Sequence, residues 1–220
     1  MQNIAINLYE LIVKANQSAR YDEIAEQTIS ASISSEVGTL AMYALKHKDD
    51  LRRAYMVELY NDDDAYYQHL NGAAYKTFAA NAAEIIEQKQ KITLVPQFVG
   101  DKHVIQDERT INNLVIVEVK PEFQIAFKNS VLPEMATSLD VEHGVLAIYA
   151  ATDVTNACRW YFYEVYASEE DYQQHRQTPH FRAYITQTAA ITTRKQAIPV
   201  NPVFLRNKGG MKSTMACRPG

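Results

Sequence analysis

The sequence predicts an α+β fold: two ferredoxin-like (β-α-β-β-α-β) units forming an intrachain pseudo-dimeric α+β barrel. Three observations carry this. A single offset of 106 positions (113 less 7) lays the first half of the chain on the second without gaps. Each half shows the element order of a ferredoxin-like unit. Helices cover only one face of such a four-stranded sheet, so the other face needs a partner, and the second copy is the nearest one.

The offset sets Asn7-Leu8 on Asn113-Leu114, Glu36 on Glu142 and Gly38 on Gly144. It carries Tyr55, Glu58 and Tyr60 onto Tyr161, Glu164 and Tyr166, and Tyr66 and His69 onto Tyr172 and His175. Pro96 and Phe98 fall on Pro202 and Phe204. Self-similarity at one fixed period over nearly a whole unit is the mark of duplication. The domains are therefore residues 1–99, a short polar linker at 100–111, residues 112–206, and a loose Gly-containing tail at 207–220.

In each half the first strand is a run dominated by apolar residues, "IAINLYELIV" and "NNLVIVEVK". A helix follows, Tyr21 to Ser32 and Glu122 to Leu139, the second containing Pro133, which predicts a kink or break. Turns at Gly38 and Gly144 lead into second strands, "VGTLAMYAL" and "HGVLAIYAA". The third strands, "RAYMVELY" and "RWYFYEVY", are rich in aromatic and branched residues. The acidic runs after them read as helix starts. Asp62 and Ser168 are the expected N-caps, and the acids that follow suit the positive end of the helix dipole. Final strands, "KITLVPQFV" and "AIPVNPVFL", close the units, their prolines predicting edge positions or bulges.

Composition narrows the function classes. With 22 Lys+Arg against 26 Asp+Glu, the net charge of −4 offers no general attraction to nucleic acid. No apolar run approaches the roughly 20 residues needed to span a bilayer, so no membrane partner is expected. The N-terminus lacks a basic region followed by an apolar stretch, and the two cysteines, Cys158 and Cys217, form no framework. A cytoplasmic location is expected. No phosphate-binding glycine loop, zinc spacing or nucleophile elbow is present, and His143 beside Glu142 reads as an isolated pair at a turn. No metal and no bound cofactor are therefore expected.

Strand alternation puts Phe162, Glu164 and Tyr166 on one face and Tyr161, Tyr163 and Val165 on the other. Helical spacing puts Tyr172, His175, Pro179 and Ala183 on one side of the next segment. If these two surfaces meet, His175 lies near Glu164 or Tyr166, and a carboxylate or phenol can orient its imidazole. The first half repeats the set as Glu58, Tyr60, Tyr66 and His69. The alternative is that each histidine satisfies one buried polar contact while the tyrosines fill the core. His180, in "TPHF", has Ala74 as its counterpart and reads as an exposed polar residue.

The stretch "YEVYASEEDYQQHRQTPHFRAY" resembles the signature of antibiotic biosynthesis monooxygenase domains, with Tyr-x-x-His followed by Thr-Pro-His-Phe. The first-half copy is less similar, "LNGAAY" standing where the second half has "RQTPHF". The resemblance implies a dimeric α+β barrel and, for this chain, a cofactor-independent monooxygenase acting on a small quinol- or anthrone-like aromatic with molecular oxygen. It implies His175 as base or hydrogen-bond partner, Glu164 and Tyr166 as its orienting groups, and Asn113 as the group polarising a substrate oxygen. Tyr149, Phe162, Tyr172 and His180 would complete that binding pocket, with His69, Glu58, Tyr60 and Asn7 in the first half. Haem-degrading relatives fit less well, because Tyr60 or Tyr166 stands at the Trp position and Ala79 or Ile185 near the iron-ligand position. A non-catalytic ligand-binding or stress-associated protein and an isomerase of the same fold are the competing readings. Further pairing of two tandem chains into a homodimer stays open.

Overall fold

In the computed structural model, which describes residues 4–214, the first repeat begins with β1 (Ala5–Val13), α1 (Ser18–Ser35), β2 (Thr39–His47) and β3 (Arg53–Tyr60). Then come α2 (Asp63–Asn71), α3 (Ala73–Ile85) and β4 (Ile86–Asp101). The second repeat runs through β5 (Ile111–Val119), a 3-10 turn at Pro121–Phe123, α4 (Gln124–Val141), β6 (Val145–Asp153) and β7 (Asn156–Tyr166). It ends with α5 (Glu169–His175), α6 (Pro179–Thr188), β8 (Thr192–Ile198), β9 (Val200–Asn207) and β10 (Lys212–Thr214). Each repeat is thus an α+β, ferredoxin-like unit. Cys217 lies outside the described residues.

The repeats and the compact units do not share boundaries. One unit takes the chain through Leu94 together with Pro199–Gly209; the other takes Val95–Ile198 and the chain from Gly210. In the first unit the antiparallel strand order is β4-β1-β3-β2-β9. In the second it is β8-β5-β7-β6, with the end of β4 beside β6. The strands expected to close each unit therefore divide: residues 86–94 stay with the first unit, and β8 with the second. Pro199 separates β8 from β9, and Pro202 sits in edge strand β9 where the register with β2 shifts between Ala44 and Leu45. A proline lacks the N–H that an interior ladder needs, so a bulged edge accommodates it. The segment expected as a loose tail contributes β10, paired with β4 from Lys212↔Gly100 to Thr214↔Phe98.

Pro133 does not break its helix: α4 continues unbroken through it. The ring removes one N–H, and the Asn129 carbonyl it would have reached belongs to an exposed residue that water can satisfy. The caps form as expected. Asp62 Oδ1 accepts from the Ala65 N–H at 2.7 Å, and Ser168 Oγ from the Asp171 N–H at 3.2 Å. The two turn glycines have a packing reason. A Cβ at Gly38 would lie 2.4 Å from Ala65 Cβ, and one at Gly144 would lie 2.2 Å from Asp171 Cγ. Both capped helices therefore start directly on top of a glycine.

Helix periodicity builds both cores. In the first unit Tyr21, Ile24, Ala25 and Ile29 of α1 cover Tyr9, Leu11, Met42 and Met56. In the second, Phe127, Val131, Met135 and Leu139 of α4 recur every fourth residue and cover Val117, Ile148, Trp160, Phe162 and Tyr166. Phe127 meets Trp160 edge-on at 5.0 Å between ring centroids. Among the described residues no helix is long and apolar enough to cross a membrane.

Candidate functional site

The helix-covered face of the second unit's sheet carries Glu164 and Tyr166 two residues apart on β7, with Asn113 opposite Glu164 on β5. Tyr166 Oη donates to Glu164 Oε2 at 3.0 Å, and Asn113 Nδ2 reaches the same oxygen at 3.4 Å. The Tyr166 ring lies 5.4 Å from the His175 ring and 5.1 Å from Tyr172. The two surfaces predicted to meet do meet.

His175 does not pair with Glu164. Its Nδ1 lies 3.1 and 3.2 Å from the two oxygens of Glu142, which follows the last turn of α4. Its Nε2 faces Glu134 Oε1 at 3.9 Å, and Phe181 covers the ring edge-on at 4.6 Å. The histidine is 1% exposed. His180, expected in the open, is part-buried and places Nε2 2.7 Å from Glu142 Oε1. Glu142 therefore serves two imidazoles and is no isolated turn residue. Burial pushes its carboxyl up, but the hydrogen bonds to His180 and His175 outweigh that and hold it below the ordinary carboxylate range.

Glu134 is the largest omission of the sequence reading. It is 6% exposed, and burial lifts its carboxyl to about 8 against the Ser138 hydrogen bond at 2.8 Å, with Glu164 and Glu142 adding to the rise. A single glutamate among the apolar residues of α4 gives no pattern to notice. Its only signal is that the repeat puts Thr28 at the same position. Burial also holds the Tyr166 hydroxyl well above its usual range, helped by the Glu164 charge, so it is a donor at any ordinary pH.

A cavity of about 90 Å³ opens beside these groups, lined by Glu134, Glu164, Tyr172, Phe181, Tyr184 and Lys195 among others. Val115, Val117 and Phe162 supply apolar wall. His175 and His180 are not among the lining residues; they stand behind Glu134 and Phe181. Tyr149 is placed elsewhere. It stacks on Tyr163 and donates to Asp101 at 2.7 Å, on the sheet face away from Glu164.

The first unit copies the plan with different chemistry. His69 Nδ1 lies 2.8 Å from Glu36, and Tyr60 donates to Glu58 at 2.9 Å. A cavity of about 30 Å³ is lined by Glu58, His69, Tyr9, Tyr75, Phe78 and Lys89 among others. Here the histidine does reach the cavity. Lys89 Nζ sits 4.6 Å over the Tyr9 ring, a cation–π arrangement the second unit lacks at Val115. Asn7 is buried, and its Nδ2 finds no partner among the described residues, unlike Asn113.

In chemical terms, the second unit offers a partly open, largely apolar cavity with two carboxyl groups on its wall. One is fixed by a phenol and an amide; the other is buried beside two histidines. Paired carboxyl groups in unequal environments suit proton transfer. Neither unit has a histidine at the positions expected of a haem ligand, Ala79 and Ile185.

Comparison with known proteins agrees with this picture. A structure described as a "putative monooxygenase" from Lactobacillus acidophilus superposes with a TM-score of 0.91 at 26% identity, covering 96% of this chain and 99% of that one. A second, from Fusobacterium nucleatum and described in the same words, gives 0.91 at 28% identity, covering 97% and 98%. An "anthrone oxidase-like protein" shares the fold at a TM-score of 0.58 and 13% identity, covering 98% of this chain and 97% of that one. No curated protein matches the chain. The family match and the first two neighbours support monooxygenase-type chemistry in general. Residues 4–81 and 111–187, one stretch in each repeat, match the antibiotic biosynthesis monooxygenase family, and the chain belongs to it.

Proposed function

We propose that the chain is a cofactor-independent monooxygenase that oxidises a small quinol- or anthrone-like aromatic in the cavity of its second unit. The observation that carries this reading is Glu164: a carboxylate on the wall of an aromatic cavity, with Tyr166 and Asn113 fixing one of its oxygens. Glu164 takes a proton from the substrate. The resulting anion supplies electrons to dioxygen, a carbon–oxygen bond forms, and the peroxide loses water, leaving one oxygen atom on the product. The four electrons needed to reduce dioxygen come from the substrate, two for the oxygen kept and two for the water released. Tyr172, Phe181 and Tyr184 exclude water around the anion, which strengthens every polar interaction there. His175 acts from behind the wall, as a positioning residue for Tyr166 and Phe181.

Oxygen consumption and product oxidation with a panel of quinols and anthrones test the reading. Glu164→Gln is expected to lower turnover by about 10²–10⁴-fold, the usual worth of a positioned base, while far-UV circular dichroism stays unchanged. Glu58→Gln in the first unit should lower it far less. Unchanged turnover in Glu164→Gln, or no oxygen uptake with any substrate, overturns the proposal; a product formed without oxygen points to an isomerase.

A further inference from the structure

We propose that Glu134, His175 and His180 form a binding site for one divalent transition-metal ion, with Glu142 holding the two imidazoles in place. A ring nitrogen from each histidine and an oxygen of Glu134 all lie within 4.8 Å of one another. They come from three separate elements, α4, α5 and α6, so the convergence is a product of tertiary structure. Two imidazoles and one carboxylate are a ligand set suited to zinc or ferrous iron.

The internal repeat supplies the control. The offset that pairs His69 with His175 and Glu36 with Glu142 puts Thr28 at the place of Glu134 and Ala74 at that of His180. In the first unit the His69–Glu36 pair, 2.8 Å apart, completes the fold without either extra ligand. The second unit has the same pair and adds the two side chains a metal requires, from positions 46 residues apart (180 less 134). Glu134 Oε1 accepts from Ser138 Oγ at 2.8 Å and faces His175 Nε2 at 3.9 Å, and among the described residues no lysine or arginine forms an ion pair with it. Glu142 meets His175 Nδ1 and leaves Nε2 facing Glu134, the way outer carboxylates orient metal-binding histidines.

Only Glu134 of the three reaches the cavity, so the ion belongs to the cavity wall and ties together the helices that frame it. This inference does not depend on the oxygenase reading, and its test needs no substrate. The full chain, stripped with chelator, is dialysed against Zn²⁺ or Co²⁺ and its metal content measured. One saturable equivalent per chain is expected, retained in His69→Ala and lost in both His180→Ala and Glu134→Thr. Those two substitutions install residues that the first unit already carries at the same places. Glu142→Gln should weaken binding by about 10–100-fold. In the unmodified chain the ring-nitrogen resonances of His175 and His180 should move on adding Zn²⁺ while that of His69 does not. Absence of a saturable equivalent, an equivalent that survives either ligand substitution, or unmoved His175 and His180 resonances overturns the proposal.

Discussion

Replacing Gly144 by alanine should be costly out of proportion to one methyl group. The new Cβ would sit 2.4 Å from Asp171 Cβ and 2.2 Å from its Cγ, where ordinary contact begins at 3.4 Å. Because the Asp171 Cβ is itself too close, turning the side chain to another rotamer gives no relief; the backbone of α5 has to retreat by about 1 Å. That retreat loosens the cap formed by Ser168, whose Oγ lies 2.5 Å from Asp171 Oδ2. Overpacking costs about 1–3 kcal/mol and a lost N-cap about 1 kcal/mol, so the expected loss is about 2–4 kcal/mol. Urea unfolding followed by circular dichroism measures it. The decisive comparison adds Asp171→Gly, which removes the atom in the way. The double variant should be more stable than the sum of the single losses by about 1–3 kcal/mol. Additivity within about 0.5 kcal/mol would refute the close-approach argument.

Phe127→Ala removes a fully buried ring that packs edge-on against Trp160, Phe162 and Tyr184, and should cost about 3–5 kcal/mol in the same assay. Glu58→Gln should show a pH signature. Burial raises the Glu58 carboxyl above its ordinary value of 4.5, against the opposing pull of His69 and Tyr60. A raised value in the folded state favours folding below the unfolded value and loses that contribution as pH rises through the folded one. Glutamine keeps an acceptor for Tyr60 and never ionises, so its melting temperature relative to the parent should climb as pH rises above the ordinary carboxyl value of 4.5. A difference that stays flat or falls over that range contradicts the assignment.

The fold was legible because duplication writes each element twice. A strand or helix that is ambiguous once, such as the Pro133 helix, is supported by its copy in α1. The site was only partly legible. Strand alternation brings Glu164, Tyr166 and Phe162 to one face, and helical spacing brings His175 to meet them, so local periodicity was enough there. The partner of His175 was not found, because Glu142 is 33 residues away and joins it only through the packing of α4 against the sheet. The repeated Glu36 and Glu142 were the available signal, since both copies place a glutamate at that distance from a histidine. Tyr149 went the other way: a bulge between Val145 and Ala147 shifts β6, and its ring belongs to the opposite face.

The strand β9 has a consequence for how the polypeptide is made. The first unit's sheet ends on β2 until residues 199–209 arrive to pair with it. On a ribosome those residues emerge only after the whole second repeat, long after β1 to β3 are free to fold. Through the translation of the whole second repeat, β2 therefore presents an open edge of unpaired backbone groups, an invitation to pair with a neighbouring nascent chain. Slow elongation between codons 112 and 198 would lengthen the exposure, whereas emergence of β9 ends it.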